Sequence, residues 1–192
     1  MIDTKMTGTA GEHWVCSVLA RLGWAPALTR DGLARTDILA VDTLSKERRM
    51  IEVQVKTATG DGPHTSWPLG TKSQQHAQSG QEWFVLVALP ETEHQAPRSF
   101  IVPRDHVAAA AWIRHRHWLT EPGIPKGQRT APIDRARVGI ESWTRYENRW
   151  DLLRADTDKA PVLLPPRMRE LALEERVGLP PGHPWTERLP NW

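Results

Sequence analysis

Residues 51–57 read Ile-Glu-Val-Gln-Val-Lys-Thr. The stretch alternates, with Ile51, Val53 and Val55 on one face of a strand and Glu52, Gln54 and Lys56 on the other. A β-branched apolar face suits a strand in a buried sheet. Lys and Glu are almost never fully buried without partners, so the opposite face is either solvated or lines a site. Immediately upstream, Thr43–Arg48 is polar and turn-like, and before it Asp37–Asp42 forms a second strand with a carboxylate at each end. Two strands with a short connection make an antiparallel hairpin. Asp37 opens one strand and Lys56 closes the other, so Asp37, Gln54 and Lys56 can converge.

Further upstream, Trp14, Val15, Val18, Leu19 and Leu22 recur at helical spacing, which predicts a helix over Thr9–Leu22. Thr7 or Thr9 is the expected cap and Gly23 the expected stop. Glu12 lies one turn before Val15 and leans toward the buried face. Its alternative reading is a first-turn glutamate favoured by the helix dipole. Cys16 reads as a small buried hydrophobe rather than a nucleophile. Trp24–Leu28 is a short extended piece whose Pro26 marks an edge, and Thr29–Thr36, with Asp31-Gly32, is a turn.

Downstream, residues 58–81 form a polar loop with room for one short helix, of the length that often accompanies a site. Trp83–Leu89 is the most apolar strand and belongs at the centre of the sheet, and Ser99–Val102 is another strand. A helix is expected over Arg104–Trp118. His115 and His117, two apart, point to different faces and make no metal pair. Residues 119–140 are irregular, and Glu141–Leu153 reads as a last helix through Tyr146, Trp150 and Leu153. Beyond Arg154 the composition changes to a proline-rich tail with a short helical pattern near Met168–Val177. The expected division is therefore a domain over 1–154 and a tail over 155–192. That tail, too poor in apolar residues for its own core, lies along the domain, meets a partner protein or is partly disordered.

The 192 residues are 25% charged and 39% hydrophobic, a globular composition with enough length for one sizeable core. No apolar run reaches the roughly 18 residues a membrane span needs, and residues 1–11 lack an apolar signal core, so a cytoplasmic protein is expected. The single cysteine excludes an internal disulfide and a cysteine-based zinc cluster. Net charge is only +2, but residues 104–154 carry ten Lys/Arg against six Asp/Glu. That local excess suits a phosphate backbone, and equally a solvated arginine-rich surface.

A helix with Glu12, a strand opened by Asp37 and a strand ending Gln54-Val55-Lys56 together resemble the PD-(D/E)XK superfamily of metal-dependent nucleases. The layout is most similar to the archaeal Holliday-junction resolvases and small related bacterial nucleases. Thr36-Asp37 stands where that family has Pro-Asp, and Gln54-Val55-Lys56 where it has (Asp/Glu)-X-Lys. The resemblance covers residues 7–57 in motif content, and runs to about residue 103 in element order. It implies an α/β fold of restriction-endonuclease type, a mixed central sheet flanked by helices. It further implies hydrolysis of DNA by an enzyme loaded with Mg²⁺ or Mn²⁺, and a homodimer, since two strands need two active sites.

Residue by residue, the resemblance implies metal ligation by Asp37, by the Gln54 side chain and by the Val55 carbonyl. Lys56 then orients the attacking water and stabilises developing charge, and Glu12 serves a second metal or an outer water. Thr57 is a candidate contact to the substrate backbone. The departure at Gln54 keeps a carbonyl oxygen that can ligate a hard cation but removes a charge. Glu52, two residues earlier on the same face, either compensates or pairs with an arginine. A catalytically degenerate copy that binds DNA or protein is the rival reading. A second rival is an interaction subunit whose tail tryptophans, Trp185 and Trp192, meet a partner or dock on the chain itself.

Overall fold

A computed structural model describes residues 3–29, 33–92, 94–125 and 127–192; the expected Asp31-Gly32 turn lies outside them. Helix α1 spans Thr4–Arg21. It starts five residues earlier than expected because Asp3, not Thr7 or Thr9, caps it, its side chain accepting the Lys5 N–H at 3.2 Å. Gly23, at φ +86°, ends it as expected.

Three strands follow: β1 at Trp24–Leu28, β2 at Ile38–Asp42 and β3 at Met50–Thr59. After them come β4 at Ser66–Pro68, β5 at Glu82–Leu89 and β6 at Arg98–Pro103. Five of these form one mixed sheet in the order β1-β2-β3-β5-β6. Only β3 and β5 run parallel, with Gln54 beside Phe84 and Val55 beside Val85. The chain is thus α/β, a mixed sheet flanked by helices. The long connection between the two parallel strands is the expected polar loop. It contains β4 and a 3₁₀ turn at Thr71–Gln74.

The alternation of β3 is realised. Ile51, Val53 and Val55 are buried, and Glu52, Gln54 and Lys56 half-buried. The buried face lies under α1, where Gly11 approaches Thr57 so closely that a Cβ would overlap the threonine side chain. On the same face the Trp14 indole donates to Ser99 Oγ at 3.0 Å. Helix α2, Arg104–Leu119, covers the other face together with Trp67 of β4, which packs edge-on against Phe100. β4 pairs with a short strand β7, Arg137–Gly139, inside the segment expected to be irregular. On the α2 side, the β1–β2 end of the sheet stays uncovered, leaving Leu39 and Met50 exposed.

The helix expected over 141–153 is instead a chain of 3₁₀ turns at Ile140–Ser142, Thr144–Tyr146 and Trp150–Arg154. Asn148 adopts φ +55°, which no α-helix accommodates, and its N–H donates to Ser99 O of β6. Tertiary pairing therefore overrides the helical spacing of Tyr146, Trp150 and Leu153. The tail helix α3 runs over Pro166–Leu173, two residues before the expected start, because Pro166 fits the first helical turn. Residues 155–192 lie along the domain. Leu163, Leu164, Met168, Leu171 and Val177 join the same buried cluster as the sheet. No helix among the described residues is long and apolar enough to cross a membrane.

Candidate functional site

The site is a notch at the edge of β3. Odd-numbered residues of β3 turn their backbone groups toward β2, but β2 begins only at Ile38, whose register partner is Val53. One step earlier, Asp37 straddles the gap. Its N–H donates to Val53 O at 2.9 Å, and its Oδ2 accepts the Val55 N–H at 2.7 Å. By the same alternation the Val55 carbonyl is directed to this edge, where no strand reaches it.

Glu12 arrives from α1. Burial, and then the Asp37 charge, push its carboxyl above the ordinary glutamate range, while His13 and Lys56 pull the other way. Glu12 therefore lies close enough to both Asp37 and Lys56 to feel their charges. A carboxyl whose ionised form is disfavoured by burial and by a second carboxylate marks a place where a cation is electrostatically welcome. Among the described residues there is no cluster of three or more His, Cys, Asp and Glu side chains placed to hold a metal. A cation here would rest on Glu12, Asp37 and backbone oxygen.

Gln54 is drawn elsewhere. Its Oε1 accepts from Arg104 Nη2 at 2.9 Å. Arg104 is only 1% exposed and stands at the start of α2. The guanidinium lies over the Phe84 ring at 4.6 Å, and its Nη2 also donates to Arg35 O at 3.2 Å. Arg104 Nε lies 2.7 Å from Glu82 Oε2 but off the line a hydrogen bond needs, and Nη1 has no partner. The same Oε2 accepts from Arg35 Nη2 at 2.8 Å, and Glu82 Oε1 accepts the Gln78 N–H at 2.6 Å. Burial, with the Arg35 charge next, lowers the Arg104 pKa to about 10, and Glu82 opposes that shift. At neutral pH the group stays cationic.

Among the described residues Glu52 makes no ion pair with an arginine; it accepts from Thr36 Oγ1 at 2.9 Å. Thr57 Oγ1 is buried against Gly11 on the α1 face and has no hydrogen-bond partner among the described residues. Cys16 is half-buried, and burial followed by the Glu12 charge raises its pKa, as a packing residue requires. His115 and His117 contact the Ala131 carbonyl and Arg176 respectively.

Sequence reasoning missed the Arg104–Glu82–Arg35 network. One signal was available, since a basic residue in the first turn of a helix opposes the dipole unless something pairs with it. The other was Glu82, a carboxylate heading the most apolar strand. Compared with known protein families, curated proteins and solved structures, the chain finds no match.

Proposed function

We propose that the chain is a metal-dependent nuclease that hydrolyses DNA phosphodiester bonds on a restriction-endonuclease-like fold. The observation that carries this reading is the notch itself, where Asp37 bonds the Val55 N–H while Glu12, arriving from α1, feels the charges of both Asp37 and Lys56. Each comes from a different position in the chain, and the order helix, edge strand, hairpin, parallel strand is the one such nucleases use. The donor set fits Mg²⁺ or Mn²⁺, hard cations that prefer carboxylate and carbonyl oxygens. Such an ion supplies Lewis-acid activation of the phosphate. Asp37, fixed by two backbone hydrogen bonds, and Glu12 would hold it. Lys56 sits on the half-buried face of β3, where its ammonium meets the phosphate's negative charge and orients the attacking water.

A homodimer belongs to this reading, and the uncovered sheet face carrying Leu39 and Met50 offers it an apolar patch. Light scattering on the eluting protein, wild type against Met50→Glu, tests that part. The reading itself is tested by cleavage of plasmid and branched DNA with Mg²⁺ or Mn²⁺, comparing wild type with Lys56→Ala. Cutting that needs the metal and disappears in the variant supports it. Cutting that survives places the active site elsewhere. The absence of cutting and of any heat of Mn²⁺ binding favours the second reading, a nuclease fold that binds DNA or protein without cutting. The engagement of Gln54 by Arg104 is the observation on that side.

A further inference from the structure

We infer that Gln54 faces the substrate phosphate as a hydrogen-bond donor, not the metal as a ligand, and that Arg104 is the residue that positions it. This rests on the nuclease reading and reassigns one of its ligands. A guanidinium has five N–H donors and no acceptor. The amide beside Arg104 Nη2 must therefore present Oε1, because Nε2 in that place would set donor against donor. Arg104 is itself buried. Glu82, the Arg35 carbonyl and the face of Phe84 hold it, at 1% exposure. The orientation of Gln54 is thus fixed by chemistry rather than by choice of rotamer.

With Oε1 committed, the two Nε2 protons are left to the half-buried face that Gln54 shares with Lys56. That is a donor pair beside an ammonium, the arrangement that receives a phosphate oxygen. A cation on Oε1 would stand next to a buried guanidinium and be repelled by it. The substitution of an amide for a carboxylate then has a reason: a glutamate here would pair with Arg104, whereas an amide accepts from it and still donates.

The test is calorimetric titration of the full chain with Mn²⁺, alongside anisotropy titration with a labelled DNA duplex in Ca²⁺. Gln54→Met should bind Mn²⁺ within about twofold of wild type, while Asp37→Asn weakens it at least tenfold. The same Gln54→Met should bind the duplex three- to tenfold more weakly. Arg104→Met combined with Glu82→Gln, which removes both charges of that pair and leaves Arg35 an amide oxygen and the His76 carbonyl to donate to, frees Oε1. It should bind Mn²⁺ more tightly than wild type, by threefold or more, a gain that loss of a merely structural residue does not produce. Weakening of Mn²⁺ binding in Gln54→Met to the extent seen in Asp37→Asn overturns the inference and leaves the nuclease reading standing. No Mn²⁺ binding by wild type overturns both.

Discussion

One oxygen of Asp37 accepts the Val55 N–H, an amide that β2 begins too late to reach. That gives the carboxylate a structural duty separable from its charge. Asp37→Ala leaves a nearly buried amide without an acceptor, which costs about 1–3 kcal/mol. Asp37→Asn keeps an oxygen in place and should cost less than about 1 kcal/mol, while removing the charge a cation needs. Urea unfolding at pH 7 should rank the variants in that order, and on the metal-dependent reading both should weaken Mn²⁺ binding at least tenfold. Glu12 makes a second residue-level prediction. Burial and the Asp37 charge raise its pKa, so it takes up a proton at a higher pH than an ordinary glutamate does. A protonated carboxyl is a poor ligand. On the metal-dependent reading, Mn²⁺ affinity should therefore fall as the pH drops through that raised pKa, sooner than an ordinary glutamate would give, and Glu12→Gln should flatten this limb in titrations run downward from pH 7.

At the scale of elements, the contact between α1 and β3 is set by Gly11, whose missing Cβ admits Thr57. In an exposed helix Gly→Ala gains about 1 kcal/mol. Here overpacking opposes it, at about 1–3 kcal/mol or more, and it wins because a β-branched strand residue cannot retreat. Gly11→Ala should lower the thermal midpoint, and Thr57→Ala in the same chain should restore part of it. A second junction ties α2 to the turn at Thr144–Tyr146 and to the tail. Tyr146 Oη accepts the Leu163 N–H at 2.9 Å and shares a hydrogen bond of 2.8 Å with His106 Nδ1. Burial, then the His183 charge, lowers the His106 pKa from 6.5 to about 3. Between those values the unfolded chain binds a proton that the folded one refuses, so stability falls as the pH falls from 6.5 toward 3. At pH 5 the loss is about 2 kcal/mol. Urea unfolding at pH 7 and pH 5 measures it, and His106→Gln should lose less between the two. Of these contacts the sequence shows one side only. Alternation in 51–57 and the short turn before it suffice to place Asp37 against β3, because both are local. Arg104 and Gln54 are fifty positions apart, and no period or spacing connects them. The turns at 140–154 defeat a periodicity argument because their spacing is set by Ser99, Phe100 and Leu163 rather than by a helix axis.

For the whole molecule, the composition of 155–192 says that the segment cannot fold alone but not what it covers. It proves to complete the domain. Arg49 pairs with Asp156 at 2.6 Å and Arg154 with Asp42 at 2.9 Å, fastening the start of the segment to the β2–β3 hairpin. Trp112 of α2 donates to Val177 O at 2.9 Å. Trp185 stacks near His106 and Trp192, and the Trp192 indole donates to Pro165 O, so both tail tryptophans lie against the chain itself. Leu163, Leu164, Met168, Leu171 and Val177 are each nearly fully buried. Exposing a large apolar side chain costs about 1.5–3 kcal/mol, so removal of these five threatens the whole of a domain stability of about 5–15 kcal/mol. A chain ending at Ala155 should therefore lack a cooperative melt and dispersed amide resonances, while the full chain unfolds in one transition, without a separate phase for the tail. A truncated chain that melts cooperatively near the full-length midpoint would mean that the sheet, α1 and α2 already form a sufficient core. The segment would then be an appendage rather than a wall of the domain.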